Sequence, residues 1–170
     1  LNPLKAMSKS LRGNLKHLRK GDCVVSFSVL GIHAMKKQIE IDTGRRVAIV
    51  YGSLPPETRA QQAALFNDPD NDYDFLVASD AIGMGLNLSI KRIIFETIYK
   101  RGNSGREKLS ISQLKQIAGR AGRYRTAHQG VDKQDSSSTS DEEHARLGEY
   151  RATATVGLVT CLDEDDLRYI

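Results

Sequence analysis

Apolar residues along this chain recur with two periods, and the two alternate. Val24, Val25 and Phe27 form a short apolar run, after which Ile32, Met35 and Ile39 recur at three- and four-residue spacing. The run predicts a strand and the spacing a helix. Val47 to Tyr51 predicts a second strand, followed by a helix through Ala60, Ala63, Ala64 and Leu65, and Phe75–Ala78 and Arg92–Phe95 predict two more strands. Strands alternating with helices argue for a parallel sheet covered on both faces, because each parallel crossover needs a connection about as long as a helix. The expected class is α/β.

The two ends carry further patterns. Leu4, Met7, Leu11, Leu15 and Leu18 stand three or four positions apart with Lys and Arg between them, which predicts an amphipathic leading helix over residues 1–20. Its basic face suits RNA or a membrane surface, but leucines at this spacing with snorkelling cations more often mark a helix packed on its own domain, and that reading is favoured. Ala154 to Leu162 predicts a strand that completes the sheet, with Asp163 as the N-cap of a helix from Glu164. Between them, residues 132–144 contain no apolar side chain, so ordering them brings no compensating burial. A disordered insertion over 125–150 is expected, within a domain spanning 21–170.

Composition sets wide limits. A chain of 170 residues that is 39% hydrophobic suits one domain, and 25 basic against 21 acidic residues is an excess too mild to name a partner. Cys23 and Cys161 each lie in an apolar run, far apart, and read as buried reduced thiols of an intracellular protein, with no spacing for a metal site or a disulfide. No apolar run approaches the roughly 18 residues of a membrane helix. Opening on Leu1, the chain is expected to be cut from a longer one.

The chemistry concentrates in two blocks. The first is Ser79-Asp80-Ala81-Ile82-Gly83-Met84-Gly85-Leu86-Asn87-Leu88, and the second is Gln116-Ile117-Ala118-Gly119-Arg120-Ala121-Gly122-Arg123. If residues 112–121 are helical, Gln116, Arg120 and Arg123 project from one face. Arginine has a fixed charge and a planar fork of donors suited to a transferring phosphoryl group. Gly119 and Gly122 lack the Cβ that would hold a phosphate or a facing backbone away. Two arginines alone would read as a solvated face; the complete string is far more restrictive.

These blocks resemble motifs V and VI of superfamily-two helicases of the DExH type, and the wording from Asp80 to Ile90 is especially similar to the mitochondrial degradosome RNA helicases of the Suv type. Tyr51-Gly52-Ser53-Leu54-Pro55-Pro56-Glu57-Thr58-Arg59, Phe66-Asn67-Asp68-Pro69 and the strand from Gly21 to Ser28 are similar to the same family. The resemblance implies a RecA-like parallel sheet with helices on both faces, the second motor domain of an ATP-dependent RNA helicase. It implies Arg120 and Arg123 as catalytic and Gly85, Asn87 and Gln116 as nucleotide-binding. Ser28, Gly52, Ser53, Ser79 and Asp80 would be RNA-binding, the first four at the carboxyl ends of strands, where hydroxyls and backbone amides hold phosphates without reading bases. Each serine alone would read as an N-cap or a turn.

The resemblance further implies ATP, with Mg2+ held mainly by the first motor domain, which is not in this chain. Its partners would be that N-terminal RecA-like domain, single-stranded RNA and an exoribonuclease in the mitochondrial matrix, and no membrane. The segment from Lys100 to Lys108, with Gly102 and Gly105, is expected to be a mobile loop near the RNA. Nowhere does Gly-x-x-x-x-Gly-Lys-Ser/Thr occur, so the domain by itself is expected not to hydrolyse ATP. Asp141-Glu142-Glu143-His144 resembles an Asp-Glu-x-His box, but it follows a serine run where a buried apolar strand would be needed. The alternative is a stand-alone RecA-like module that binds RNA or protein without ATPase activity.

Overall fold

A computed structural model describes residues 4–83, 86–122 and 156–170. Six strands form one sheet: β1 (Leu4–Ala6), β2 (Asp22–Val25), β3 (Arg46–Val50), β4 (Tyr73–Ala78), β5 (Arg92–Phe95) and β8 (Gly157–Cys161). Their order is β1-β8-β5-β2-β4-β3 and every neighbouring pair is parallel. Among the described residues, three α-helices lie between them: α1 (Val29–Thr43), α2 (Pro56–Asn67) and α3 (Ile111–Ala118). The expected α/β class with a parallel sheet is what the chain adopts.

Both faces of the sheet are covered, as parallel strands require. Cys23 and Val25 turn to the face packed by Ala63 and Phe66 of α2 and by Leu114 and Ile117 of α3. Val24, between them, turns to the opposite face with Ile32 and Ile39 of α1. Each apolar side chain of β2 is fully buried, so this central strand reads as an unbroken apolar run with no polar alternation. Cys23 and Cys161 are both free and buried. Burial raises the thiol pKa of Cys23, and that of Cys161 is pushed up to about 12 by burial and by nearby Asp166, Asp163 and Glu164.

The segment before β2 is not a helix. Leu4–Ala6 is a strand and only Leu15–His17 makes a single 3-10 turn. Arg12 and Gly13 sit at φ 52° and 69°, left-handed conformations that no helix admits. The reason lies in β8, whose outer edge needs partners: Met7, Leu11 and Gly13 donate backbone N–H groups to Val159, Cys161 and Leu162. A helix would keep those donors for itself and leave the edge unpaired. Leu11, Leu15 and Leu18 are buried all the same, because a strap laid across one face buries the same leucines that a helix would.

The loop expected after β5 is corrected, and the helix expected after β8 is present in a tighter form. The Lys100–Lys108 region is ordered as an antiparallel hairpin of β6 (Tyr99–Gly102) and β7 (Gly105–Lys108), in which Gly102 faces Gly105. After β8, Glu164–Tyr169 forms a 3-10 helix, and Asp163 occupies the N-cap position without a side-chain capping bond. The expected disordered insertion, the acidic box at 141–144 and the first residues of the last predicted strand, 154 and 155, lie outside the described residues.

One buried ion pair ties the strap to the sheet. Asp22 opens β2 and Arg92 opens β5, directly opposite in register. Arg92 Nε donates to Asp22 Oδ1 at 2.9 Å and its Nη2 to Oδ2 at 2.5 Å, while Nη2 also reaches the carbonyl of His17 at 3.2 Å. Burial raises the Asp22 pKa, and Arg92 opposes that rise by hydrogen bonding and by charge. Replacing Arg92 by Met strands the carboxylate, so a loss of about 3–5 kcal/mol is expected from urea unfolding, with partial recovery when Asp22→Asn is added. Both thiols are expected to resist alkylation by iodoacetamide in the native protein and to react at once in urea, because the thiolate is the nucleophile.

Candidate nucleotide and nucleic-acid site

The registers place the carboxyl ends of five strands in one row. Val50 pairs with Ala78, Ala78 with Val25, Val25 with Phe95, and Phe95 with Cys161. The connections that carry the two sequence blocks therefore leave from one line. Adjacent β2 and β4 send theirs to opposite faces, since α1 packs with Val24 whereas Ile82, Leu88 and Ile90 pack with Val25 and Phe95. A crevice between such diverging connections is the usual ligand position in an open parallel sheet.

The helix carrying Gln116 starts from a complete capping box. Gln113 N–H donates to Ser110 Oγ at 3.2 Å, and Ser110 N–H donates to Gln113 Oε1 at 2.9 Å. It ends at Ala118, earlier than the spacing predicts, because Gly119 caps it and the chain tightens: Arg120 N–H reaches Ile117 O and Ala121 N–H reaches Ala118 O, both at 3.1 Å. Gln116 and Arg120 still line one cleft of 320 Å³, together with Asp80, Ile82, Lys100 and Gln113. Arg120 is half-buried and Gln116 exposed.

Two backbone contacts fix where Arg120 stands. Gly122 N–H donates to Ile90 O at 2.8 Å, with Gly122 at φ 78°. A Cβ on Gly157 would come within 2.6 Å of Ala121 O. Gly122 thus serves a left-handed turn bonded to Ile90 O, a Cβ on Gly119 would come within 3.0 Å of Lys115 O, and Gly157 admits a close backbone approach. These glycines make room for backbone, one of the two roles expected of Gly119 and Gly122. Arg123 and Gly85 lie outside the described residues.

The candidate RNA residues divide among several places. Ser28 Oγ accepts the Gly31 N–H at 3.0 Å and caps α1, which leaves its own hydrogen free to donate. Ser28 lines a second cleft, of 370 Å³, with Phe27, Tyr99, Arg101 and Arg106. Arg106 lies over the Tyr99 ring, 5.2 Å from its centroid. Gly52 and Ser53 form the exposed turn after β3, and Ser79 N–H donates to Val50 O at 3.1 Å. Gly52, Ser53, Ser79 and Asn87 line neither cleft. Asp80, expected on the RNA side, stands in the cleft of Gln116 and Arg120, paired with Lys100 at 2.6 Å.

Sequence reasoning missed two positioning residues. Asn67 Nδ2 donates to Asn87 O at 2.6 Å while its Oδ1 accepts from Ser89 N–H at 2.8 Å, so the end of α2 clamps the motif segment. Lys100 holds Asp80 from the hairpin. Both lie in quoted stretches, but their partners, 20 and 22 residues away for Asn67 and 20 for Lys100, carry no local signal.

With this geometry in hand, similarity decides the family. The family model described as helicase conserved C-terminal domain matches residues 6–125. The chain belongs to that family. It is 54% identical over 121 residues to the mitochondrial DExH-box ATP-dependent RNA helicase DExH18 of Arabidopsis thaliana, covering 71% of this chain and 16% of that protein. It is 54% identical over 133 residues to the mitochondrial ATP-dependent RNA helicase SUV3 of Saccharomyces cerevisiae, covering 77% and 18%. The Suv-type resemblance of this helicase C-terminal domain is thereby established, and the chain spans under a fifth of those relatives' lengths. Among solved structures, helicase domain 2 of the DEAD-box protein Mss116p, bound to an RNA duplex, superposes with a TM-score of 0.55 at 8% identity, covering all of this chain and 57% of that one. The yeast DEAD-box splicing factor Prp28 gives 0.57 at 12% identity, covering 98% and 30%. At such identities the likeness concerns the RecA-like fold alone.

Proposed function

We infer that this domain is the C-terminal motor domain of an ATP-dependent RNA helicase of the mitochondrion, one that couples hydrolysis to RNA unwinding or translocation and feeds an exoribonuclease. The observation that carries the reading is the convergence of Gln116 and Arg120 with Asp80 on one cleft. It is supported by relatives at 54% identity whose names state that activity and compartment.

On this reading ATP lies between the cleft and the N-terminal RecA-like domain. Arg120 and Arg123 face the transferring phosphoryl group, where a fixed guanidinium stabilises charge that develops only in the transition state. Gln116 supplies a neutral amide that both donates and accepts, suited to the nucleotide or its attacking water, and Gly85 and Asn87 approach the sugar. Mg2+ belongs to the partner domain, since the cleft's own carboxylate, Asp80, is engaged by Lys100. Single-stranded RNA runs over the carboxyl ends of the strands, held by Ser28, Gly52, Ser53 and Ser79.

Arg120→Ala or Arg123→Ala in the full-length protein is expected to lower kcat for RNA-stimulated ATP hydrolysis by about 10³-fold or more while nucleotide affinity changes by less than about tenfold. Equal losses in both would remove the finger role. A second measurement addresses the division of labour: RNA-stimulated ATPase of the domain alone and mixed with the rest of its parent chain. Silence alone with activity on mixing is expected, whereas silence in both, with both pieces folded and associated, points to a binding module without ATPase activity.

A further inference from the structure

The positive charge of this chain is concentrated in one place. Lys5, Lys9, Arg12, Lys16, Arg19 and Lys20 stand in the first 21 residues, where there is no Asp or Glu, so the net charge of +4 belongs wholly to this segment and the rest of the chain is slightly acidic. The strap buries Leu11, Leu15 and Leu18 and leaves its cations at the surface. Lys20 pairs with Asp74. Lys5, Lys9, Arg12, Lys16 and Arg19 form no ion pair among the described residues.

Three of these cations surround a concavity of 280 Å³. Lys9, Arg12, Arg19 and His17 line it, Arg92 forms part of its floor, and no carboxylate contributes to the lining. Asp22, the nearest carboxylate to that floor, is buried and committed to Arg92. Arg92 Nη1 has only the thioether of Met7 at 3.7 Å, a weak acceptor for a buried guanidinium. Arg12 holds φ 52°, the one left-handed residue other than glycine among the described residues. Holding a non-glycine residue there costs free energy and fits a side chain that must point in a set direction. Gathering like charges without counter-ions is unfavourable unless an anion completes the site.

We propose that this strap is a second polynucleotide contact surface, which binds the phosphates of single-stranded RNA apart from the strand-end residues. The concavity runs from Arg92, which opens β5 about 10 Å from the carboxyl-end row, to Leu11, whose N–H donates to Cys161 O at the end of β8 on the outer side of the sheet. Its donors are lysines and arginines spread along an extended segment, and its lining contains no Phe, Tyr or Trp, with His17 as its one aromatic ring. Such a set grips a backbone without reading sequence. Because Lys5 and Lys16 extend the row beyond the concavity, a chain of phosphates fits the distribution better than one phosphate. The surface adds grip independent of the ATP cleft.

The test is the salt dependence of binding of a fluorescein-labelled oligouridylate to the full-length protein, wild type against Lys9→Gln/Arg12→Gly/Arg19→Gln. Glycine accepts the left-handed conformation at 12, so the charge is removed without disturbing the turn. Removing three contacts is expected to flatten the plot of log K against log salt by about 2 and to weaken binding on the order of 100-fold at 0.1 M salt. RNA-independent ATPase and the melting temperature are expected to stay at wild-type values. Arg120→Ala gives the converse, lost hydrolysis with an unchanged salt slope, so this surface and the motor reading fail separately. Lys9→Gln/Arg19→Gln, which leaves the turn intact, should give about two thirds of the slope change. An unchanged slope in folded variants would overturn the proposal and leave an acidic protein or lipid surface as the partner. Displacement of the RNA by millimolar inorganic phosphate would overturn it in favour of a discrete anion pocket.

Discussion

The parallel register that sets Val50, Ala78, Val25, Phe95 and Cys161 side by side is the constraint on which the rest depends. A parallel sheet cannot be closed by short turns, so every connection must cross a face, and each crossing helix covers apolar residues that would otherwise meet water. With the carboxyl ends aligned, the connections after β2, β3 and β4 all begin at one level. Ser28, Gly52, Ser53, Ser79 and Asp80 follow the strand ends at one level for that reason, although Ser28 and Asp80 open on different clefts. A shift of one residue in β4 against β2 would turn Leu76 and Ala78 away from α2 and α3 and carry Ser79 and Asp80 with it.

What could be read from the sequence followed from local period. β2, β3, β4 and β5 and the helices α1 and α2 each occupy a stretch whose pattern has only one interpretation in context, and of the Gln116–Arg123 block, Gln116 and Arg120 line one cleft. The leading segment was misread because periodicity reports which residues are buried but not the backbone path that buries them. Leu11, Leu15 and Leu18 satisfy helical spacing, yet the free edge of β8, more than 130 residues later in the chain, draws Met7, Leu11 and Gly13 into hydrogen bonds with it. The hairpin was equally hidden: Tyr99–Lys108 has no apolar face, and its order comes from cross-strand pairing around Gly102 and Gly105.

Long-range polar contacts were beyond the reach of the sequence altogether. Asp22 and Arg92 are separated by 70 positions, and only the pairing of β2 with β5 makes them neighbours. Each has an ordinary local role as a strand-opening polar residue. Their burial becomes tolerable through two hydrogen bonds and through the His17 carbonyl, and the same contacts anchor the strap that supplies the basic surface. Packing and charge are therefore coupled: the leucines that fix the strap on the sheet also fix the outward direction of its lysines and arginines.

The position of Arg120 shows how a motif residue can be placed by the sheet even though it follows a helix. α3 ends at Ala118, so helical geometry no longer dictates the direction of Arg120. Direction comes instead from the next turn, which is bound to Ile90 O just before β5 and pressed against Gly157 of β8. Any movement of β5 and β8 as a unit carries the guanidinium with it, and Asp80 moves in step because β4 and β2 belong to the same hydrogen-bonded sheet. Lys100 adds a third tie, from the hairpin to Asp80. On the proposed reading, a sheet that holds Arg120, Gln116 and Asp80 in one mutual geometry would let the domain open and close on a phosphate with relative motion left to the interface and not to the site.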